Sequence, residues 1–189
     1  LILSAFASID DVDKYVTPYT NKDSQLFLVD LGRGKNRMGG SGLDQTLSYT
    51  NHESPNINKL ADLLNYYKFT QELVRKNILN AYHDRSDGGL ITTLIEMAFV
   101  SNMSVDLKNI SKRSKTELIR FLFNEELGGI FAIDKKYEKE FIKLTRKYNL
   151  DAITHNIGNI LKKGKPMLKI TACNYSESIF KLRKYWSCL

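Results

Sequence analysis

Between Tyr82 and Leu90 the chain reads Tyr82-His83-Asp84-Arg85-Ser86-Asp87-Gly88-Gly89-Leu90, between an apolar strand-like segment and an apolar helix-like one. Asp84 offers the hard oxygen that Mg²⁺ prefers, and Ser86 a hydroxyl for a phosphate oxygen. The glycine pair lets backbone N–H groups approach an anion at a helix start. This is the chemistry of a metal–nucleotide site. His83 beside Asp84 resembles a metal pair, and Asp84 with Asp87 a carboxylate couple. The plainer alternative is that Ser86 or Asp87 caps the helix beginning near Gly88 and that His83 is only packed. Both readings can hold at once, because a capped helix start is also a good anion site.

Other candidates are weaker. In the glycine-rich stretch 32–42, Gly34 to Ser41 has glycines near phosphate-loop spacing, but Gly40 stands where the lysine must be. Gly32-Arg33-Gly34 opens a dinucleotide fingerprint whose third glycine is replaced by Arg37. Glu125-Glu126 could bind Mg²⁺ or orient a basic group, although a solvated turn before a strand is the simpler expectation. His52 and His155 have no companions in the sequence that make a catalytic dyad, and neither GxSxG nor HExxH occurs.

Strands and helices must position these groups. Apolar runs over 2–8 and 25–31 read as strands. Residues 48–56 read as a loop. Leu60, Leu63, Leu64, Tyr67, Val74 and Ile78 predict the inner face of a long helix. A strand ending at Ala81-Tyr82, a helix over 89–101 and a strand over 103–107 follow. Ser114 and Glu117 have capping-box spacing before a helix that buries Leu118, Phe121 and Leu122. Residues 129–133 read as a strand, and Asp134 as the cap of a helix with Tyr137, Phe141, Leu144 and Tyr148 inside. Residues 152–161 and 166–170 are expected to pair as a hairpin about Lys162–Lys165, with a helical tail from Asn174. The alternation gives an α/β (α+β) domain, a mixed sheet layered with helices.

A chain of 189 residues, 42% hydrophobic and 26% charged, is long enough to bury a real core. No apolar stretch approaches the length of a membrane span. Cys173 and Cys188 form neither a disulfide framework nor a metal spacing, which favours a reducing, cytoplasmic setting. The net charge of +7 comes from scattered lysines, without basic–aromatic interleaving, so nucleic acid is not the expected partner. A chain that opens on Leu1-Ile2-Leu3, in mid-strand, reads as cut from something longer.

The run at 82–90, followed by Glu96-Met97-Ala98-Phe99 and by Phe123-Asn124-Glu125-Glu126-Leu127-Gly128, closely resembles phosphoribosylformylglycinamidine synthase of the large, single-chain type. Ser4-Ala5-Phe6, Asp30-Leu31-Gly32, Gly39-Gly40-Ser41-Gly42-Leu43 and the tail Leu182-Arg183-Lys184-Tyr185-Trp186 are also similar to that family. The resemblance implies a fragment of a purine-biosynthetic glutamine-dependent ligase. That family transfers glutamine-derived ammonia to the formyl amide of formylglycinamide ribonucleotide at the expense of ATP. It also implies a C-terminal half-module like that of aminoimidazole ribonucleotide synthetase, from the second synthetase repeat. Residues 1–20 would end the preceding half-module, 21–172 would form the domain, and 173–189 would start the link towards a glutaminase domain. Asp84 falls on a Mg²⁺ ligand and Ser86 on a nucleotide-binding position of an auxiliary ATP/ADP pocket, and no catalytic residue is implied. The expected partners are the enzyme's remaining modules and small-molecule substrates, with no nucleic acid and no membrane. By the resemblance, the 32–42 loop is module framework rather than a nucleotide cradle.

Two alternatives follow from the same residues: a non-catalytic remnant that binds no nucleotide, and a basic nucleic-acid-binding domain. The last predicts a steep fall of DNA or RNA affinity with salt. A weak, flat salt response in a filter-binding titration is the expected outcome here.

Overall fold

The computed structural model describes residues 15–49, 52–110 and 113–188, with Ser4, Phe6, Ser8 and Asp11. The strand expected over residues 2–8 falls mostly outside that set. The strands are β1 (Ser24–Asp30), β2 (Leu79–Asp84), β3 (Ser104–Leu107), β4 (Gly128–Ile133), β5 (Thr154–Leu161), β6 (Met167–Ile170) and β7 (Tyr175–Ser178). The helices are α1 (Gly42–Thr46), α2 (Leu60–Arg75), α3 (Gly89–Ser101), α4 (Lys115–Phe123), α5 (Glu138–Lys147) and α6 (Ile179–Ser187). All seven strands join one mixed sheet in the order β2-β4-β1-β5-β3-β6-β7. Among the described residues only the β3–β6 pairing is parallel.

β1 is apolar on both faces, because strand alternation serves two cores at once. Leu26 and Leu28 of β1, with Ile130 and Ala132 of β4, meet α3, α4 and α6 on one side of the sheet. Phe27 and Val29, with Phe131 and Ile133, meet α2 and α5 on the other. In that second core, the Phe27–Phe141 and Phe69–Phe141 ring centroids lie 4.7 and 5.4 Å apart, and Phe131 is edge-on to Phe69 at 5.5 Å. Such pairs add about 0.5–1.5 kcal/mol each beyond area burial.

The expected α3 forms over Gly89–Ser101. Ser114 and Glu117 make both bonds of the capping box, and Leu118, Phe121 and Leu122 are buried. Asp134 caps a single 3-10 turn, Lys135–Tyr137, that leads into α5.

Three expectations are corrected. Leu60, Leu64 and Tyr67, expected inside, are 72%, 53% and 62% exposed, while α2 buries Asp62, Phe69 and Leu73 instead. The helix carries two stripes of similar period, and Arg33 together with the phenylalanine cluster selects the other one. Arg33 Nε donates to Asp62 Oδ2 at 2.7 Å, and Phe69 fits between Phe131 and Phe141. Residues 152–161 and 166–170 are strands but do not pair with each other. β3 lies between them, paired antiparallel with β5 and parallel with β6, so the lysine-rich connection passes over β3. The tail is not wholly helical: β7 pairs with β6 before α6 begins. α6 then buries Ile179 and sets Trp186 against Phe99 at 5.9 Å, so 173–189 contains the last strand and a packed helix.

Outside the two cores, α2 is tied to α5. Glu72 Oε2 accepts from Lys147 Nζ and Tyr148 OH, both at 2.5 Å. The Lys147 bond, then the Tyr148 bond, hold the Glu72 carboxyl below its usual range. A group with a depressed folded-state pKa stabilises above its unfolded value, and that stability is lost as pH falls through the folded value. Urea unfolding across the acidic range should therefore show wild type losing more stability than Glu72→Gln on acidification. Parallel pH dependences of the two proteins would contradict this.

Candidate functional site

The three chemically interesting segments of the sequence meet at one end of the sheet. β1 ends at Asp30, β2 ends at Asp84, and β4 begins at Gly128 between them. The glycine-rich loop leaves β1, the 84–89 loop leaves β2, and the turn Asn124–Leu127 enters β4, so each loop borders the other two.

Asp30 is 4% exposed and works in two directions. Its Oδ1 accepts from Gly32 N at 3.2 Å and its Oδ2 from Gly34 N at 2.7 Å, which shapes the glycine-rich loop. Oδ1 also accepts from Arg85 Nη2 at 2.6 Å. The Arg85 side chain is fully buried and donates further to the carbonyls of Glu126 (2.5 Å) and Leu127 (3.0 Å). The residue between Asp84 and Ser86 is therefore an anchor, and it fixes where its two exposed neighbours stand.

Glu126 makes the second buried pair. Its side chain is 0% and that of Arg37 5% exposed. Its carboxylate accepts from Arg37 Nε (2.7 Å), Nη2 (2.6 Å) and backbone N (3.0 Å). The hydrogen bond to Glu126 raises the Arg37 pKa further above its already high value, against the opposing effect of burial. Glu125 Oε1 accepts from Gly42 N (2.8 Å) and Gly88 N (2.7 Å), joining the glycine-rich loop to the start of α3. The solvated turn expected at Glu125-Glu126 is thus a buried clasp, and the reading that a carboxylate there orients a basic group is the one realised. An acidic pair beside glycines, with Arg37 far off in sequence, gives no local signal of this.

Asp84 stands at the end of β2 with its side chain 68% exposed. Ser86 Oγ donates to Asp84 Oδ2 at 3.0 Å, so the carboxylate and hydroxyl predicted for metal and phosphate are neighbours on one open surface. His83 Nδ1 is 3.4 Å from Asp84 Oδ1, within ion-pair range but not hydrogen-bonded, while Nε2 is engaged by Glu96 Oε2 at 3.1 Å. His83 thereby braces β2 against α3. Neither Ser86 nor Asp87 caps α3, contrary to the plainer sequence expectation. The N-cap is Gly88, with φ 80°, and Gly89 follows at φ 73°. This left-handed pair turns the chain so sharply that the Ser86 carbonyl, not its hydroxyl, receives Gly89 N–H at 3.0 Å. A Cβ on Gly89 would stand 2.6 Å from the Asn124 carbonyl oxygen.

Below the site, Tyr82 and Tyr66 share a hydroxyl–hydroxyl bond of 2.9 Å. Burial is the main cause that pushes both phenols up, Tyr66 well above 10. They are packing groups that close the space over Gly129. Elsewhere, His52 does have a companion that spacing did not reveal: its Nδ1 lies 2.7 Å from Oδ2 of Asp44.

Among the described residues, no group of three or more His, Cys, Asp or Glu side chains could hold a metal ion. The exposed Asp84 carboxylate is a single hard oxygen donor, and the Ser86 hydroxyl beside it can hydrogen-bond an anion. Cys173 and Cys188 are both free and exposed. No helix among the described residues is long and apolar enough to cross a membrane.

Residues 31–170 match the family model for the AIR synthase related protein, C-terminal domain. Among solved structures, PurL of T. maritima complexed with ATP superposes with a TM-score of 0.65 at 12% identity, over 90% of this chain and 27% of that one. Phosphoribosylformylglycinamidine synthase II from Thermotoga maritima gives 0.63 at 13% identity, over 90% and 28%. The E. coli hydrogenase maturation protein HypE gives 0.56 at 12% identity, over 87% and 52%. At these identities the likeness is one of fold. The chain spans little more than a quarter of the PurL chains it matches.

The clasp has a measurable consequence. Replacing one partner of a buried pair strands the other charge, at about 3–5 kcal/mol. Glu126→Gln should destabilise the protein by that amount in urea unfolding, whereas Asp84→Asn, at an exposed position, should change stability by less than about 0.5 kcal/mol. Equal effects of the two substitutions would refute the assignment of anchor and surface groups.

Proposed function

The chain belongs to the AIR synthase related protein, C-terminal domain family, and from that membership we propose that it is part of a phosphoribosylformylglycinamidine synthase of the large, single-chain type. In this reading it supplies the C-terminal half-module of the second synthetase repeat. The whole enzyme would be a cytoplasmic glutamine-dependent ligase that converts formylglycinamide ribonucleotide, glutamine and ATP to the amidine, glutamate, ADP and phosphate. The segment itself would contribute part of a Mg²⁺–nucleotide site and would be inactive alone.

The observation that carries the proposal is the pairing of Asp84 and Ser86 on an open surface, held by a fully buried Arg85. Asp84 would give a carboxylate oxygen to Mg²⁺, and Ser86 would turn its hydroxyl to a phosphate oxygen. The ion, when bound, would neutralise phosphate charge and orient the nucleotide. The remaining ligands would come from the preceding half-module. PurL structures complexed with ATP, with AMPPCP and with ADP support nucleotide binding within this fold. The outward stripe Leu60, Leu64 and Tyr67 on α2 is apolar surface of the kind that neighbouring modules cover.

Mg²⁺–ADP binding to the full-length enzyme, measured by calorimetry, should weaken in Asp84→Ala by roughly 10–100-fold, since loss of even an outer-shell partner costs that much. Ser86→Ala should weaken it less. Undiminished binding by Asp84→Ala would overturn the site assignment.

A further inference from the structure

Beside the glycine-rich loop, residues of α1 and α4 line an open cleft of about 430 Å³. That volume falls within the roughly 300–1,000 Å³ of small-molecule sites. Leu43, Leu47 and Ile119 give it apolar walls, and Asp44, His52 and Arg120 are its ionisable lining.

The chemistry of these three residues is not that of a closed structural pair. The Asp44 side chain is 3% exposed, and its oxygens lie 2.9 and 2.7 Å from His52 Nδ1. A carboxylate only accepts, so Nδ1 carries the hydrogen, and in the neutral ring Nε2 is then an acceptor. The imidazole is 32% exposed where it borders the cleft, and Nε2 bonds to no described residue. Arg120 reaches the same cleft from α4, and its guanidinium likewise has no partner among the described residues. A buried acid thus orients the imidazole, an exposed guanidinium without a partner among the described residues lines the same open cleft, and Leu43, Leu47 and Ile119 give it apolar walls.

We propose that this cleft binds a small organic anion, a carboxylate or a phosphate monoester, that also carries a hydroxyl or amino group. The anionic end meets Arg120, the hydroxyl or amine donates to His52 Nε2, and the carbon skeleton lies against Leu43, Leu47 and Ile119. Asp44 acts through His52 as a positioning residue. The site is separate from the Asp84–Ser86 surface and does not rest on the proposed synthase activity. Glu125 Oε1 ties it to that surface by holding Gly42 N at the start of α1 and Gly88 N at the start of α3.

The test is titration of the full-length protein with para-hydroxyphenylacetate, para-hydroxyphenyl phosphate and the neutral para-hydroxyphenylacetamide, followed by ligand-observed NMR. At least one anion should bind saturably in the millimolar range or below, with the amide weaker by about tenfold or more. Whichever anion binds identifies the acid group. Arg120→Ala should weaken the anion by about tenfold or more, with an unchanged thermal midpoint because Arg120 is exposed. His52→Gln should weaken it as well, and Asp84→Ala should leave it unchanged. The proposal fails if neither anion saturates, if the amide binds as well as the acids, or if Arg120→Ala binds like wild type. Failure of the nucleotide assignment would instead appear as Mg²⁺–ADP binding that Asp84→Ala does not alter, so the two can fall separately.

Discussion

The burial of Arg85 against Asp30 is the constraint from which the site's geometry follows. A guanidinium with no solvent exposure needs acceptors, and Nε and Nη2 find theirs at the end of β1 and in the turn that enters β4. Three chain segments far apart in sequence therefore converge on this one side chain. Glu126 repeats the arrangement with the charges reversed: the acid is on the turn and Arg37 is on the loop. The carboxylate and hydroxyl facing solvent at Asp84 and Ser86 are positioned by charges that themselves never meet the solvent. Pairs of this kind are weak sources of net stability, but either half alone is costly, so they enforce one arrangement of the loops.

Much of the framework was legible because local rules and global packing agree there. β1 and β4 are apolar on both faces, the α4 capping box needs only residues three apart, and Asp134 caps its turn with its own carboxylate. The inward face of α2 was not legible, because Leu60-Leu64-Tyr67 and Asp62-Phe69-Leu73 are both acceptable helical stripes. The choice lies with partners about 30 to 80 residues away in sequence, at Arg33, Phe131 and Phe141. The pairing of β5 with β6 failed for a related reason. Length and turn residues between two strands say nothing about a third strand that arrives earlier in the chain and takes the place between them.

Of the site, the residue types at Asp84 and Ser86 were readable from the sequence, and a hydrogen bond joins the two side chains. What pattern could not supply were the long-range clasps. Glu125 and Glu126 read as polar turn residues until Gly42, Gly88 and Arg37 are brought to them, and His52 read as solitary although its ring lies against Asp44. The expected cap from Ser86 or Asp87 was also not realised, because the left-handed Gly88 and Gly89 place the N-cap at Gly88.

The sheet order carries a consequence for how the chain is made. Among the described strands β1 comes first along the chain, yet its two neighbours are the fourth and fifth, β4 and β5. Gln25 pairs with Ile133 and Asn159, more than a hundred residues further on. At about 5–20 residues per second, this apolar interior strand waits roughly 5–20 s with both edges bare. During nascent life Leu26-Phe27-Leu28-Val29 is a sticky, unsatisfied β-segment, so β1 is exposed to chaperones and to aggregation until its partner strands arrive.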